Sequence, residues 1–149
     1  MEHISKTGIM AGIGAAGAVI AHWLGGWDAA LSTLVIFMAI DFGMGLIIAG
    51  FFKKSSKSKT GALDSRAGWA GLLRKGITLA IVFVACQLDK VIGSDFIRDA
   101  TVIAFVVNET LSIVENAGLM GVPIPAVITN AIEILKKKSE GPEKGVENE

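Results

Sequence analysis

Residues 29–52 form an apolar run of 24 residues with one formal charge, Asp41, almost at its centre. About 20 mainly apolar residues carry a helix across a bilayer, and ~17 is the lower limit. Three further runs reach that length. Residues 8–24 supply 17 with only His22 chargeable, and residues 76–92 supply 17 with Gln87, Asp89 and Lys90 near one end. Residues 100–119 supply 20 but include Asn108, Glu109, Glu115 and Asn116. The expected fold is an all-α integral membrane protein with three to four transmembrane helices and a C-terminal amphipathic helix. It forms one membrane domain over residues 1–138, followed by a polar, acidic, disordered tail at 139–149.

The 14 basic and 14 acidic residues cancel, so net charge points to no nucleic-acid partner. Their placement is more informative. Residues 53–75 hold Lys53, Lys54, Lys57, Lys59, Arg66, Arg74 and Lys75 against one acid, Asp64. Such a loop stays on the cytoplasmic side by the positive-inside rule. Its first half reads as flexible and its second as a short surface helix with Trp69 at headgroup level. The fourth run then returns inward and places Lys136, Lys137 and Lys138 in the cytoplasm too, so two basic clusters predict one topology. No aromatic interleaving supports nucleic-acid binding by the loop.

The first run differs from the others. Nine of its 17 residues are Gly or Ala, and Gly8, Gly12, Gly14 and Gly17 belong to small-xxx-small patterns that favour helix association. It is also the least bulky run, so two topologies stand: four spans with the N-terminus inside, or three with it outside. Ala16-Gly17-Ala18 loosely fits a signal cleavage site, but the leading MEHISKT is barely basic. Beyond Leu119, Pro123 and Pro125 suit a turn into an amphipathic helix over 123–138. Ile124, Ile128, Ala131 and Leu135 share one face of it, either on the inner membrane surface or against another subunit.

The buried polar residues pose the functional question. An aspartate at mid-bilayer costs ~2.5–3.5 kcal/mol, against ~0.3–0.6 gained per large apolar residue, so the run around Asp41 still inserts. The acid should face protein or a water path, either to fix helix packing or to serve a site. In the fourth run, at ~100° per residue, Thr101, Asn108, Ser112 and Glu115 form a stripe that Glu109 and Asn116 widen. The opposite face is Ile103, Val106, Val107, Thr110, Val114 and Ala117. A closed bundle hides that stripe and an assembled ring turns it toward water. A permanent inter-helix seam is the other solution.

No catalytic set, cofactor site or metal site is legible, so no enzyme is expected. His3 and His22 lack evident partners. Residues 12–17 match GxGxxG in letters, but no strand precedes them. The lone Cys86 excludes an intramolecular disulfide and suits a small buried hydrophobe.

The stretches GGWDAALSTLVIFMAIDFGMGLIIAG, GLLRKG and FIRDATVIAFVVNETLSIVENAGLMGVPIPAVI closely resemble the phage holin family that includes the clostridial toxin-secretion holins. SIVENAGLMGVPIP is the most specific part, and the likeness covers roughly residues 8–137. One departure is Asp41-Phe42-Gly43, where a tyrosine is expected after the aspartate. The resemblance implies a homo-oligomer of the bacterial cytoplasmic membrane that forms holes through which endolysin, or a toxin, passes. It assigns no pore-lining residue. A small transporter or ion channel using Asp41 or Glu109, and a membrane anchor recruiting a partner through the basic loop, are the readings from other classes.

Overall fold

The computed structural model describes residues 2–53, 59–60 and 64–140, with side chains from 6 to 139. Among the described residues five α-helices follow in order: α1 (Glu2–Trp23), α2 (Ala29–Ile47), α3 (Ser65–Ile92), α4 (Phe96–Leu119) and α5 (Ala126–Glu140). A π-helical turn, Ile48–Phe52, prolongs α2 and ends where Lys53 turns left-handed (φ 50°). No strand occurs among the described residues.

Helices α2, α3 and α4 run down, up and down beside one another. Each is long and apolar enough to cross a membrane, α2 together with its π-helical turn. Their shared core holds Leu31, Leu34 and Met38 from α2, Val82 and Cys86 from α3, and Val102 and Val106 from α4. Leu24 closes it at the end where α1 joins. The outside is as apolar as the core. Ile36, Ile40, Leu72, Leu73, Ile77, Ile81, Val84 and Val91 are exposed, while Asp41, Asp89, Arg98, Glu109 and Asn116 are buried. Ionisable residues are seldom fully buried in water-soluble domains unless paired. Charges inside and Ile, Leu and Val outside is the distribution lipid imposes.

Several boundaries differ from the expectation. The second half of the basic segment, from Ser65, is not a separate surface helix but the first turns of α3. Asp64 caps the start of α3, accepting from the backbone N–H of Arg66 (2.9 Å). Likewise α4 begins at Phe96 rather than residue 100, because Asp89 of α3 caps it from outside. The amphipathic helix spans Ala126–Glu140, so the tail expected from residue 139 starts inside α5. Residues 141–149 lie outside the described residues.

Helix α1 stands off the bundle. Residues 6–20 are exposed throughout. No neighbouring atom lies within 4 Å of a side-chain position on Gly8, Gly12, Gly14 or Gly17. Its end is anchored where the Trp23 ring tilts over Phe83, with centroids 6.0 Å apart. Among the described residues, the predicted small-residue face therefore has no partner helix within 4 Å, and α1 is not among the three apolar spans.

Candidate functional site

Two polar assemblies tie the three spanning helices together, one near mid-span and one at the end where α1 enters. Both grow from single residues placed in otherwise apolar helices.

At mid-span, the ammonium of Lys75 on α3 donates to Asp41 Oδ2 on α2 (2.9 Å) and to Glu109 Oε2 on α4 (2.6 Å). Asn116, two turns further along α4, donates its side-chain amide to Asp41 Oδ1 (3.0 Å). Asp41 retains only 4% of its surface and Glu109 7%. One cation thus bridges two carboxylates on different helices, and an amide orients one of them. Paired charges are strong here because the surroundings are apolar, and removing one partner strands the others.

Lys75 is the main correction to the sequence reading. It does not serve at the membrane surface with the other basic residues; it turns inward against Asp41 and Glu109. The signal was present, since Lys75 directly precedes an apolar run whose neighbours each carry a mid-span acid. Of the remaining basic residues, Lys53, Lys59, Arg66, Arg74, Lys136, Lys137 and Lys138 are exposed. Lys54 and Lys57 lie outside the described residues.

The α4 stripe is divided. Glu109 and Asn116, its edge members, are buried in the Lys75 assembly. Asn108 and Glu115, at its other edge, are exposed. Ser112 is half-buried, and Thr101 is half-buried with its hydroxyl donating to the Ile97 carbonyl (2.7 Å). On the other side of the helix Val106 and Val107 are buried. A pair of spanning helices therefore covers one edge of the stripe and leaves the other edge open.

At the α1 end, Arg98 is 8% exposed and reaches across to the Gly25-Gly26 turn. Its Nε donates to the Leu24 carbonyl (3.0 Å) and Nη2 to the Gly26 carbonyl (3.3 Å), while Nη1 pairs with Asp28 and with Asp99 (2.9 Å). Asp28 also caps α2 by accepting from the Leu31 N–H (2.8 Å). The Arg98 guanidinium beside it holds the Asp28 carboxyl below the usual carboxylate range, against the opposing effect of burial. Asp89 completes the joint, its carboxylate accepting from the backbone N–H groups of Ile97 (3.0 Å) and Arg98 (2.8 Å) and from the Ser94 hydroxyl. The fork of Arg98 against two backbone carbonyls has no motif that could have announced it.

Helix α5 folds back along α4. Ile132 is its buried residue, with Leu135 half-buried; Ile128 and Ala131, placed on the packing face from periodicity, are exposed. Lys138 shares a cleft of about 450 Å³ with Asp95, Phe96, Asp99, Ala100, Ile103 and Ala30. That cleft is at the Arg98 end of the bundle, opposite Lys53 and Arg66. In this conformation the two basic clusters therefore do not share a side.

No group of His, Cys, Asp and Glu able to hold a metal ion occurs among the described residues.

Comparison with known proteins adds a family. Residues 18–137 match the Bacteriophage holin family. A protein of Halalkalibacterium halodurans is 38% identical over 80% of this chain and 87% of its own length. A 14.9 kDa Clostridium perfringens protein from the nagH 3′ region is 35% identical, over 85% of this chain and 92% of its own. A probable holin of Bacillus phage phi105 is 33% identical over 74% of this chain and 76% of its own. No solved structure matches.

Proposed function

Because the chain belongs to the bacteriophage holin family, we propose that it assembles with copies of itself in the bacterial cytoplasmic membrane and opens holes. Endolysin, or in a secretion setting a toxin, is the cargo. The observation that carries this reading is the open edge of the α4 stripe. Asn108 and Glu115 are exposed on a helix long and apolar enough to span the membrane. Facing lipid they are costly; facing the same stripe on other copies, or water between copies, they are not. Assembly thus relieves a defect that the single chain carries.

The Lys75 assembly has the complementary task. It closes α2, α3 and α4 on one another and holds the chain in the packing it has before assembly. The basic segment before α3 lies in the cytoplasm, which puts the Arg98 joint outside and the start of α5 inside. The small-residue face of α1 is a second contact between copies.

Controlled expression in bacteria, with and without a co-expressed endolysin, tests this by turbidity. The expected result is a delayed, abrupt loss of turbidity that needs the endolysin, with Glu115→Gln altering the delay. Unchanged timing in Glu115→Gln overturns the role of the stripe. The buried Asp41–Lys75–Glu109 set also suits a second reading, a small ion channel or transporter. Passage of a fluorescent protein through the membrane separates the two, since only a holin makes openings of that size.

A further inference from the structure

We infer that α5 is an internal competitor for assembly: folded back along α4, it occupies a face of α4 against which a second copy must pack. This deepens the holin reading and rests on it.

The face is identifiable from the cleft beside Lys138, where α4 contributes Phe96, Asp99, Ala100 and Ile103. At ~100° per residue, Ala100 and Ile103 share a stripe with Val107, Thr110 and Val114. It lies roughly a quarter-turn from the open Asn108 and Glu115 side, with the core-facing Val102 and Val106 on its other flank. Helix α5 therefore borders the polar stripe, and removing it widens the exposed surface of α4 without disturbing the core. The occupant that fits is a second copy of this chain, because the widened surface is apolar next to a stripe that needs like polar partners.

Two features hold α5 in place and two oppose it. Ile132 is buried, and the ammonium of Lys138 shares its cleft with Asp95 and Asp99. Against this, Asn130, Glu133, Lys136 and Lys137 face outward where lipid surrounds α4. The positive-inside rule also draws Lys136, Lys137 and Lys138 toward the side that holds the loop before α3. The pivot is built in. Gly121 is left-handed (φ 81°), Pro123 and Pro125 interrupt the chain, and the turn is tied to α4 by the backbone N–H groups of Met120 to Asn116 O (3.2 Å) and Ala117 O (3.1 Å), Gly121 to Gly118 O (3.0 Å) and Val122 to Ala117 O (3.0 Å). When a second copy takes the face, α5 swings onto the inner membrane surface. Both basic clusters then lie on one side.

The test is an intrachain disulfide in the full chain. In a Cys86→Ser background, Asp95→Cys and Lys138→Cys place thiols at the cleft, leaving Asp99 to Arg98. Expression with endolysin under oxidising conditions should give a linked monomer and a delay several-fold longer than in the unlinked parent. A reducing agent should then release lysis at once. Separately, Lys138→Glu should shorten the delay, and pairing it with Asp95→Lys should restore it. The inference is overturned if the link does not form, or forms without changing the delay, while the parent still lyses on schedule. A parent that opens nothing overturns the holin reading itself, and this inference falls with it.

Discussion

Lys75 and Asp41, separated by 34 residues, meet at 2.9 Å, and the same ammonium lies 2.6 Å from Glu109 a further 34 residues on. Three successive spanning helices are thus joined at one depth by one cation. Deleting that cation leaves two carboxylates facing each other in an apolar interior. Lys75→Met is expected to destabilise the bundle by ~3–5 kcal/mol, as loss of one partner of a buried pair does. Denaturation in detergent measures this. Lys75→Met combined with Asp41→Asn and Glu109→Gln should recover most of the loss, and a triple variant no more stable than the single one would contradict the bridging role.

Arg98 offers a sharper geometric test. Its fork addresses the Leu24 carbonyl, the Gly26 carbonyl, Asp28 and Asp99 from one planar group, which an ammonium cannot reproduce. Arg98→Lys is expected to cost ~1.5–3 kcal/mol for each charge-assisted bond it fails to remake. Backbone amide exchange at residues 24–28 should quicken, while exchange around Lys75 stays the same.

The adjacent glycines should respond unequally. Both are left-handed, Gly25 at φ 88° and Gly26 at φ 100°. A methyl on Gly25 meets Arg98 Nε at 3.1 Å and Cys86 Sγ at 3.3 Å, whereas one on Gly26 meets nothing within 4 Å. Gly26→Ala should cost ~1–2 kcal/mol of backbone strain, and Gly25→Ala measurably more. Equal losses in thermal unfolding would mean that Arg98 and Cys86 give way freely.

Asp28 predicts a pH dependence. Its carboxyl is held below the usual carboxylate range by Arg98, so the folded protein binds its proton less readily than the unfolded chain. The stabilisation is therefore complete above the unfolded value of ~4 and is lost as pH falls through the lower, folded value. Trp27, next to Asp28, reports the turn by fluorescence. Asp28→Asn should flatten the acid limb of stability and lower the neutral plateau, where the carboxylate's contribution is complete.

The parts of this architecture that were legible in the chain are those set by solvent. An apolar run of 24 residues has few alternatives to a spanning helix, and α2 with its turn covers the same residues, 29–52. Charge misled at the edges, because a basic residue next to a span can turn to the surface or inward. Lys75 turns inward because Asp41 and Glu109 wait at its depth. Periodicity found the α4 stripe but not its division, since Glu109 and Asn108 are neighbours and only the position of α3 decides which is covered. The Arg98 joint was invisible for a similar reason. Its acceptors are backbone carbonyls, which every sequence possesses.

The Lys75 bridge has a kinetic consequence. Its strength depends on a dry surrounding: opposite charges at 4 Å attract by ~4 kcal/mol at an effective dielectric constant of 20, but by only ~1 in water. The first molecules of water to percolate beside α4 therefore weaken the contact that keeps more water out. Wetting feeds on itself, and a membrane seeded with such chains should stay tight for a long interval and then leak all at once.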